Sequence, residues 1–383
     1  MADKMLYLHA GMDKAGSTSI QVSMARYDDG ATRYGHLNGG PTHSAALLTV
    51  FSDDPYAVFH HRVCQRTEAD VDALKEAWTH EIDRELALDH INLVISTETL
   101  SHGDKFNETE LRRLHEHAAS HGRRVGMIVY VRDPVGYLGS SLGQLVNVGL
   151  ASCAGDRGEL RLPHLGYRQR FEKHLAVFGR DAIAFVRFDR AGFPGGCLVA
   201  DFAGRVGADI GRVTVKQEND GLPLAALALL YFWNRPDSWR AGSESGLRAR
   251  RKLVALLRDA FSAGPFGGGK FRFADEFLKP RVDWTDVAWM ESVAGFSLEP
   301  SPQRDDGRAL SISCIDDLRD VRDQSLTALR QLLDERRVRY NKADSANALL
   351  DRLYDRVRFE VGVQGLVPRR MQSLLRRFRA AIG

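Results

Sequence analysis

The sequence predicts an α/β protein in which a parallel sheet is flanked by helices and followed by a mainly helical C-terminal portion. Three observations carry this. Four short apolar runs, Met5–His9, Ile91–Ser96, Val125–Val131 and Ala182–Phe188, have the length and composition of buried strands. Helical patterns over Glu68–Leu88, Asn107–Ser120 and Leu165–Phe178 separate them, and strands alternating with helices predict a parallel sheet covered on both faces. From about residue 216 the patterns Leu222–Trp233, Leu247–Phe261, Ile315–Val338 and Ser345–Phe359 all read as helices, with no clear strand among them. The expected organisation is therefore an α/β core over residues 1–215 and a helical portion over 216–383 that completes the site.

The first apolar run ends in the loop His9-Ala-Gly-Met-Asp-Lys-Ala-Gly-Ser-Thr-Ser19, and a helix-like segment follows. Strand, glycine-bearing loop and helix start together make a P-loop-like phosphate cradle, in which backbone N–H groups and the positive end of the helix dipole converge on an anion. The nucleotide-triphosphate P-loop is G-x-x-x-x-G-K-[ST]. Gly11 and Gly16 keep the glycine spacing, but Ser17 holds the lysine position and Lys14 lies inside the loop. A lysine three residues early presents its charge from another side of the bound group, which argues against an ordinary ATPase.

The third run leads into Arg132-Asp-Pro-Val-Gly-Tyr-Leu-Gly-Ser140. Asp133 suits an N-cap and Pro134 a first helical position. Arg132 then stands at the carboxyl end of a strand, where open α/β sheets bind ligands, and Ser140 lies two turns into the next helix. An arginine fork and a hydroxyl from adjacent elements can hold a second phosphate. Ser141 is the alternative hydroxyl.

Lys14-Ala-Gly-Ser-Thr-Ser19 resembles the K-x-G-[ST]-[ST]-x phosphosulfate loop of sulfotransferases, enzymes that use 3′-phosphoadenosine 5′-phosphosulfate (PAPS) as sulfuryl donor. Val131-Arg-Asp-Pro, with Ser140 eight residues after Arg132, resembles the family's second motif, which grips the 3′-phosphate of the donor. The nearest branch is bacterial, with an H-x-G-x-x-K-x-G-[ST]-[ST]-S-[IL]-Q opening matched from His9 to Gln21; Ala15 and Ser17 replace commoner threonines, and Ser17 keeps a hydroxyl. The likeness covers about residues 5–21 and 124–145, is weaker at Asp201-Phe202 and is diffuse beyond about residue 235.

The resemblance implies a PAPS-dependent sulfotransferase of the carbohydrate type, releasing adenosine 3′,5′-bisphosphate and requiring no metal. Lys14, Ala15, Gly16, Ser17, Thr18 and Ser19 would hold the 5′-phosphate, and Arg132 and Ser140 the 3′-phosphate. Lys14 would also follow the negative charge that develops on the departing phosphate. Glu98, just past the strand Ile91–Ser96, matches an acidic position of this branch and is the expected general base, with His102 as the alternative. His9 and His43 lie in segments resembling the branch and are candidates to touch the sulfate or the acceptor. The acceptor itself is not legible in the donor motifs; a glycan or glycolipid hydroxyl follows only from the branch. Two other classes compete: a P-loop kinase or nucleotide phosphotransferase, which would need magnesium, and a non-catalytic nucleotide-binding protein.

Composition fits this frame. The chain has 383 residues, 44% hydrophobic and 27% charged, with a net charge of +3 that gives no reason to expect a nucleic-acid partner. Cys64, Cys153, Cys197 and Cys314 are scattered without a C-x-x-C pair, as for reduced thiols in a cytoplasmic protein. No apolar run approaches the ~20 residues of a membrane span. Lys270, after three glycines, is a candidate basic loop but reads better as part of a flexible linker. The tail over 366–383 is arginine-rich; a helix from Pro368 would align Met371, Leu374, Leu375 and Phe378, a pattern suited either to peripheral membrane contact or to docking on the body.

Overall fold

The computed structural model describes residues 3–149, 165–216, 221–234, 244–263, 271–299 and 310–366. Lys270, Cys153 and residues 367–383 of the basic tail lie outside the described residues. In chain order the strands and α-helices are β1 (Lys4–His9), α1 (Ser17–Met24), β2 (Thr32–Tyr34), α2 (Ser44–Phe51), α3 (Phe59–Val63), α4 (Glu68–Ala87), β3 (Asn92–Ser96), α5 (Glu108–Ser120), β4 (Arg123–Val131), α6 (Pro134–Asn147), α7 (Tyr167–Phe178), β5 (Ile183–Arg187) and α8 (Leu198–Val206). There follow α9 (Leu224–Trp233), α10 (Glu244–Ala260), β6 (Phe271–Phe273), α11 (Asp275–Leu278), α12 (Trp284–Ala294), β7 (Leu310–Ile312), α13 (Ile315–Gln324), α14 (Leu326–Glu335) and α15 (Ala346–Leu366). They divide into two compact units that interleave in sequence: one within Met1–Ser141, Pro163–Asp220 and Arg281–Gln303, the other within Leu142–Leu162, Gly221–Pro280 and Arg304–Gly383.

The first unit is built on a five-stranded, wholly parallel sheet of order β2-β3-β1-β4-β5 with helices around it. The four predicted strands are β1, β3, β4 and β5. Edge strand β2 was not expected, because three residues with Arg33 in the middle make no apolar run; Arg33 instead clasps the buried Glu85 through Nε (2.8 Å) and Nη2 (3.0 Å). In register, His9 stands opposite Ser96 on one side and Ile128 on the other. The ladder runs on through Thr97 N–H to His9 C=O (2.9 Å) and Ala10 N–H to Ile128 C=O (3.1 Å). The chain thus leaves the carboxyl ends of β3, β1 and β4 side by side.

Helix starts follow their sequence signals. Thr67 and Asp70 form a capping box on α4, as Asn107 and Glu110 do on α5. Asp133 Oδ1 accepts from Gly136 N–H (2.7 Å) and caps α6, with Pro134 as its first residue. Helix α7 begins at Gly166, which has no side chain to cap with; Asp286 of α12 accepts from Tyr167 N–H (2.5 Å) and Arg168 N–H (2.8 Å) in its place.

In the second unit α9 is buried from Leu224 to Phe232, as befits a helix apolar all round, and α10 packs on α15. The expectation of no strand past residue 216 is corrected by β6 and β7, which pair in parallel; at three residues each they are too short to produce a periodic signal. The single helix expected over 315–338 is two helices. Ser325 separates them, and its hydroxyl donates to Val321 C=O (2.7 Å) at the break, a side-chain bond that competes with the helical ladder.

One buried cation fastens the sheet to its loops. Arg123, at 2% exposure, donates to the carbonyls of Leu86 (2.7 Å), Leu88 (2.6 Å), His90 (3.1 Å) and Met5 (3.2 Å). It closes the carboxyl end of α4 and pins the turn into β3. Arg123→Met is expected to strand these acceptors and cost roughly 3 kcal/mol or more in urea unfolding. Arg123→Lys should recover only part of the loss, since an ammonium lacks the planar fork.

Candidate functional site

Beyond β1 the chain turns back on itself through Lys14 at φ 65° and Gly16 at φ 77°, both in the left-handed region. The two loop glycines are there for different reasons. A Cβ on Gly11 would fall 1.9 Å from Ser17 Oγ, and one on Gly16 would meet Leu198 Cδ2 at 2.3 Å in addition to the strain of positive φ. Among the bonds that hold the loop are Ala15 N–H to Met12 C=O (3.1 Å), Ser101 Oγ to Gly11 C=O (2.9 Å) and Arg132 Nη1 to Lys14 C=O (2.6 Å). Helix α1 starts at Ser17 with Gly16 as its N-cap and no side chain capping it. Ala15 and Ser17 are buried, Ser17 Oγ donating to Met12 C=O (3.4 Å), while Ser19 is half-buried and Thr18 exposed on the first turn.

Arg132 leaves the end of β4 beside this loop. Its guanidinium lies 5.6 Å from the Phe188 ring centre, and its own carbonyl accepts from Tyr167 Oη (2.5 Å). Burial lowers its pKa; the charge of Asp133 opposes that, and the like charge of Arg190 adds to it. The like charge of Arg190 adds to the positive potential at Arg132, which favours an anion there. Ser140 is half-buried, with its hydroxyl donating to Gly136 C=O (2.8 Å) and Tyr137 C=O (3.1 Å), whereas Ser141 is buried at 5% exposure. Of the two serines, Ser140 is the one with an accessible face.

The turn after β3 brings Glu98 and His102 to the same edge. Burial pushes the Glu98 carboxyl up to about 7, the negative charge of Asp13 adds to this, and His102, Lys14 and a hydrogen bond from Ser17 pull the other way. Asp13 itself is raised by burial but more than compensated by His102, Arg170 and Lys14, so it stays below the ordinary carboxylate range. His102 Nε2 lies 3.1 Å from Asp13 Oδ1, and Arg170 Nη1 lies 3.9 Å from Oδ2. Arg170 also donates to Ser101 C=O (2.9 Å) and Tyr137 Oη (2.8 Å), tying the turn to α6. Lys14, Asp13, Glu98, Ser17 and His102 therefore form one electrostatic cluster, in which one carboxyl is held ionised and the other is poised near neutrality.

His9 and His43 lie on either side of Ser96. His9 Nδ1 is 2.8 Å from Ser96 Oγ, to which Gln21 also donates (3.2 Å), and His43 Nδ1 accepts from Ser96 N–H (3.0 Å). Their exposures are 1% and 0%, and burial lowers their pKa values to about 3 and about 4. His9 packs on Phe202 and Tyr130, and His43 on Tyr34. Both are buried and neutral; a Cβ built on Gly11 would meet His9 Cε1 at 3.2 Å, so the His9 ring lies against the loop beside Ser17.

Sequence reading passed over Asp13, Arg170 and Arg190. Asp13 had a signal, standing next to Lys14 in the loop; Arg170 and Arg190 lie in segments with no motif, and only the fold brings them in. Among the described residues no helix is long and apolar enough to cross a membrane. In the comparisons with known proteins, no family model, no curated protein and no solved structure matches this chain.

Proposed function

We propose that the chain is a PAPS-dependent sulfotransferase with a P-loop-like donor site, acting on an acceptor hydroxyl of a glycan or glycolipid. The observation that carries this reading is the Arg132 Nη1 to Lys14 C=O bond, which unites the two donor motifs in one crevice at the carboxyl ends of β1 and β4. These strands are neighbours where the chain order of the sheet reverses, the position at which open α/β sheets bind ligands. The α1 N-terminus, with Ser17, Thr18 and Ser19, would take the 5′-phosphate. Arg132 and Ser140, with Arg190 beside them, would take the 3′-phosphate, the Ser140 hydroxyl turning from its own helix to the ligand.

In the reaction the acceptor oxygen attacks sulfur, the bond from sulfur to the bridging phosphate oxygen breaks, and Glu98 takes the acceptor proton. Lys14 offsets the charge left on the phosphate. A carboxyl poised near 7 suits proton transfer at neutral pH. His102, engaged with Asp13, remains the alternative base. His9 and His43 have no part in this scheme.

The deciding experiment is binding of adenosine 3′,5′-bisphosphate against ADP with magnesium, followed by thermal shift and calorimetry. Saturable bisphosphate binding in chelator supports the donor assignment, and a preference for ADP with magnesium favours a kinase. Arg132→Ala should weaken the bisphosphate ten- to a hundredfold, matching the roughly 1.5–3 kcal/mol of a charge-assisted bond; unchanged affinity in a folded variant removes the second motif. Radiolabelled donor incubated with cell extract, then partitioned between lipids and polysaccharides, identifies the acceptor class.

Turnover should separate from binding at Glu98. Glu98→Gln should lower kcat by about 10²–10⁴-fold with little change in bisphosphate affinity, whereas Lys14→Ala should lower kcat and also weaken the bisphosphate, whose 5′-phosphate carries the charge that Lys14 offsets. If Glu98→Gln keeps wild-type activity while His102→Ala is inactive, the base is His102.

The pH profile follows from Glu98. The base form is the carboxylate, so kcat/KM should rise with pH through an apparent pKa near 7 and level off above it. Removing the neighbouring charge with Asp13→Asn should move that rise to lower pH. A rise unmoved by Asp13→Asn would detach the limb from Glu98.

A further inference from the structure

A second cluster lies on the same unit but at the opposite edge of the sheet. His117, on the last turn of α5, and His121, its C-cap, are four residues apart, and their ring centres lie 5.1 Å from each other. Asp83 of α4 faces them. His117 Nε2 is 2.8 Å and His121 Nε2 3.6 Å from Asp83 Oδ1, and the three ligand atoms all lie within 4.8 Å of one another. Among the described residues this is the one such grouping of three histidine, cysteine or acidic side chains.

The arrangement is more than an ion pair. His117 Nε2 and Asp83 Oδ1 are both buried atoms, and despite their approach neither makes a well-aligned hydrogen bond. His121 Nδ1 donates to His117 C=O (3.0 Å), since a carbonyl can only accept, and this leaves the Nε2 lone pair directed at Asp83. Two ligands of a tetrahedral ion at about 2.1 Å stand about 3.4 Å apart. The His121–Asp83 separation fits this span, and the His117–Asp83 pair needs to open by roughly half an ångström. The side chains are 27% (His117), 24% (His121) and 38% (Asp83) exposed while His117 Nε2 and Asp83 Oδ1 are themselves buried, so an ion enters as that pair opens.

We propose that Asp83, His117 and His121 form a binding site for a divalent transition ion of the zinc class. Two imidazoles and one carboxylate suit zinc, cobalt, nickel or copper and not magnesium or calcium, which prefer oxygen alone. The site joins α4 to the end of α5 just before Gly122 and β4. It therefore sits at the amino ends of the strands, away from loop 10–16 at their carboxyl ends, and its ion braces the two helices and takes no part in transfer chemistry.

The test uses the full chain stripped with chelator and titrated with Zn²⁺ by calorimetry and with Co²⁺ by visible absorption. One equivalent of each should bind, Co²⁺ developing a d–d band, and Zn²⁺ should raise the melting temperature. His117→Ala, His121→Ala and Asp83→Asn should each weaken binding by at least about tenfold, because even outer-shell partners are worth about 10–100-fold. Circular dichroism checks that they fold, and Asp83→Asn, which keeps the side-chain shape, stands in if a histidine variant does not. Exposed His36→Ala should change nothing. The proposal is overturned if the stripped wild type binds no saturable equivalent, or if the variants bind as tightly as the wild type.

Discussion

The bond from the Arg132 guanidinium to the carbonyl of Lys14 is the contact on which the candidate site depends. A carbonyl in a left-handed turn points where no helix or strand partner can reach it, and a half-buried loop cannot leave it unpaired cheaply. Arg132 resolves that from the neighbouring strand and is itself fixed in doing so. The guanidinium has five donors, so one bond to the loop leaves others for an anion. The same residue thus shapes the loop after β1 and carries charge to it, and the sheet register, His9 beside Ile128, sets the distance between them.

Around that contact the protein sorts its ionisable groups by solvation. His9 and His43 are enclosed by aromatic rings and lose the capacity to charge. Asp13 is also withdrawn from water, yet its hydrogen bond with His102 and the charges of Arg170 and Lys14 keep it ionised. Its retained charge then acts on Glu98, whose own burial already favours the neutral form. Proximity in sequence says little about this sorting: Asp13 and His9 are four residues apart and end in opposite electrostatic states.

Much of the frame was legible in the sequence because its signals are local. The runs that became β1, β3, β4 and β5 are apolar and bounded by turn residues, and the caps Thr67, Asn107 and Asp133 act within three residues of themselves. What escaped was short or supplied from afar. Strand β2 is a strand only because β3 offers it an edge, and β6 and β7 only because each finds the other. The break at Ser325 interrupts a pattern that, by periodicity alone, runs straight through. In the site, loop and strand-end residues were readable from spacing, whereas Arg170 and Arg190 belong to it through tertiary placement. The His117 and His121 pair had a visible i, i+4 spacing, but Asp83, more than thirty residues earlier, gives the spacing its meaning.

The strand order has a consequence for synthesis of the chain. β1 lies at the centre of the sheet, yet both of its neighbours, β3 and β4, are encoded far downstream. A ribosome adding about 5–20 residues per second needs roughly 6–25 s to make the approximately 120 residues between the end of β1 and the end of β4. Until β3 is made, the nascent apolar strand and its glycine loop have no neighbour to pair with, and one side of β1 stays open until β4 follows; non-local parallel pairing is slow in any case. The segment most central to the finished molecule is the one that waits longest for its partners.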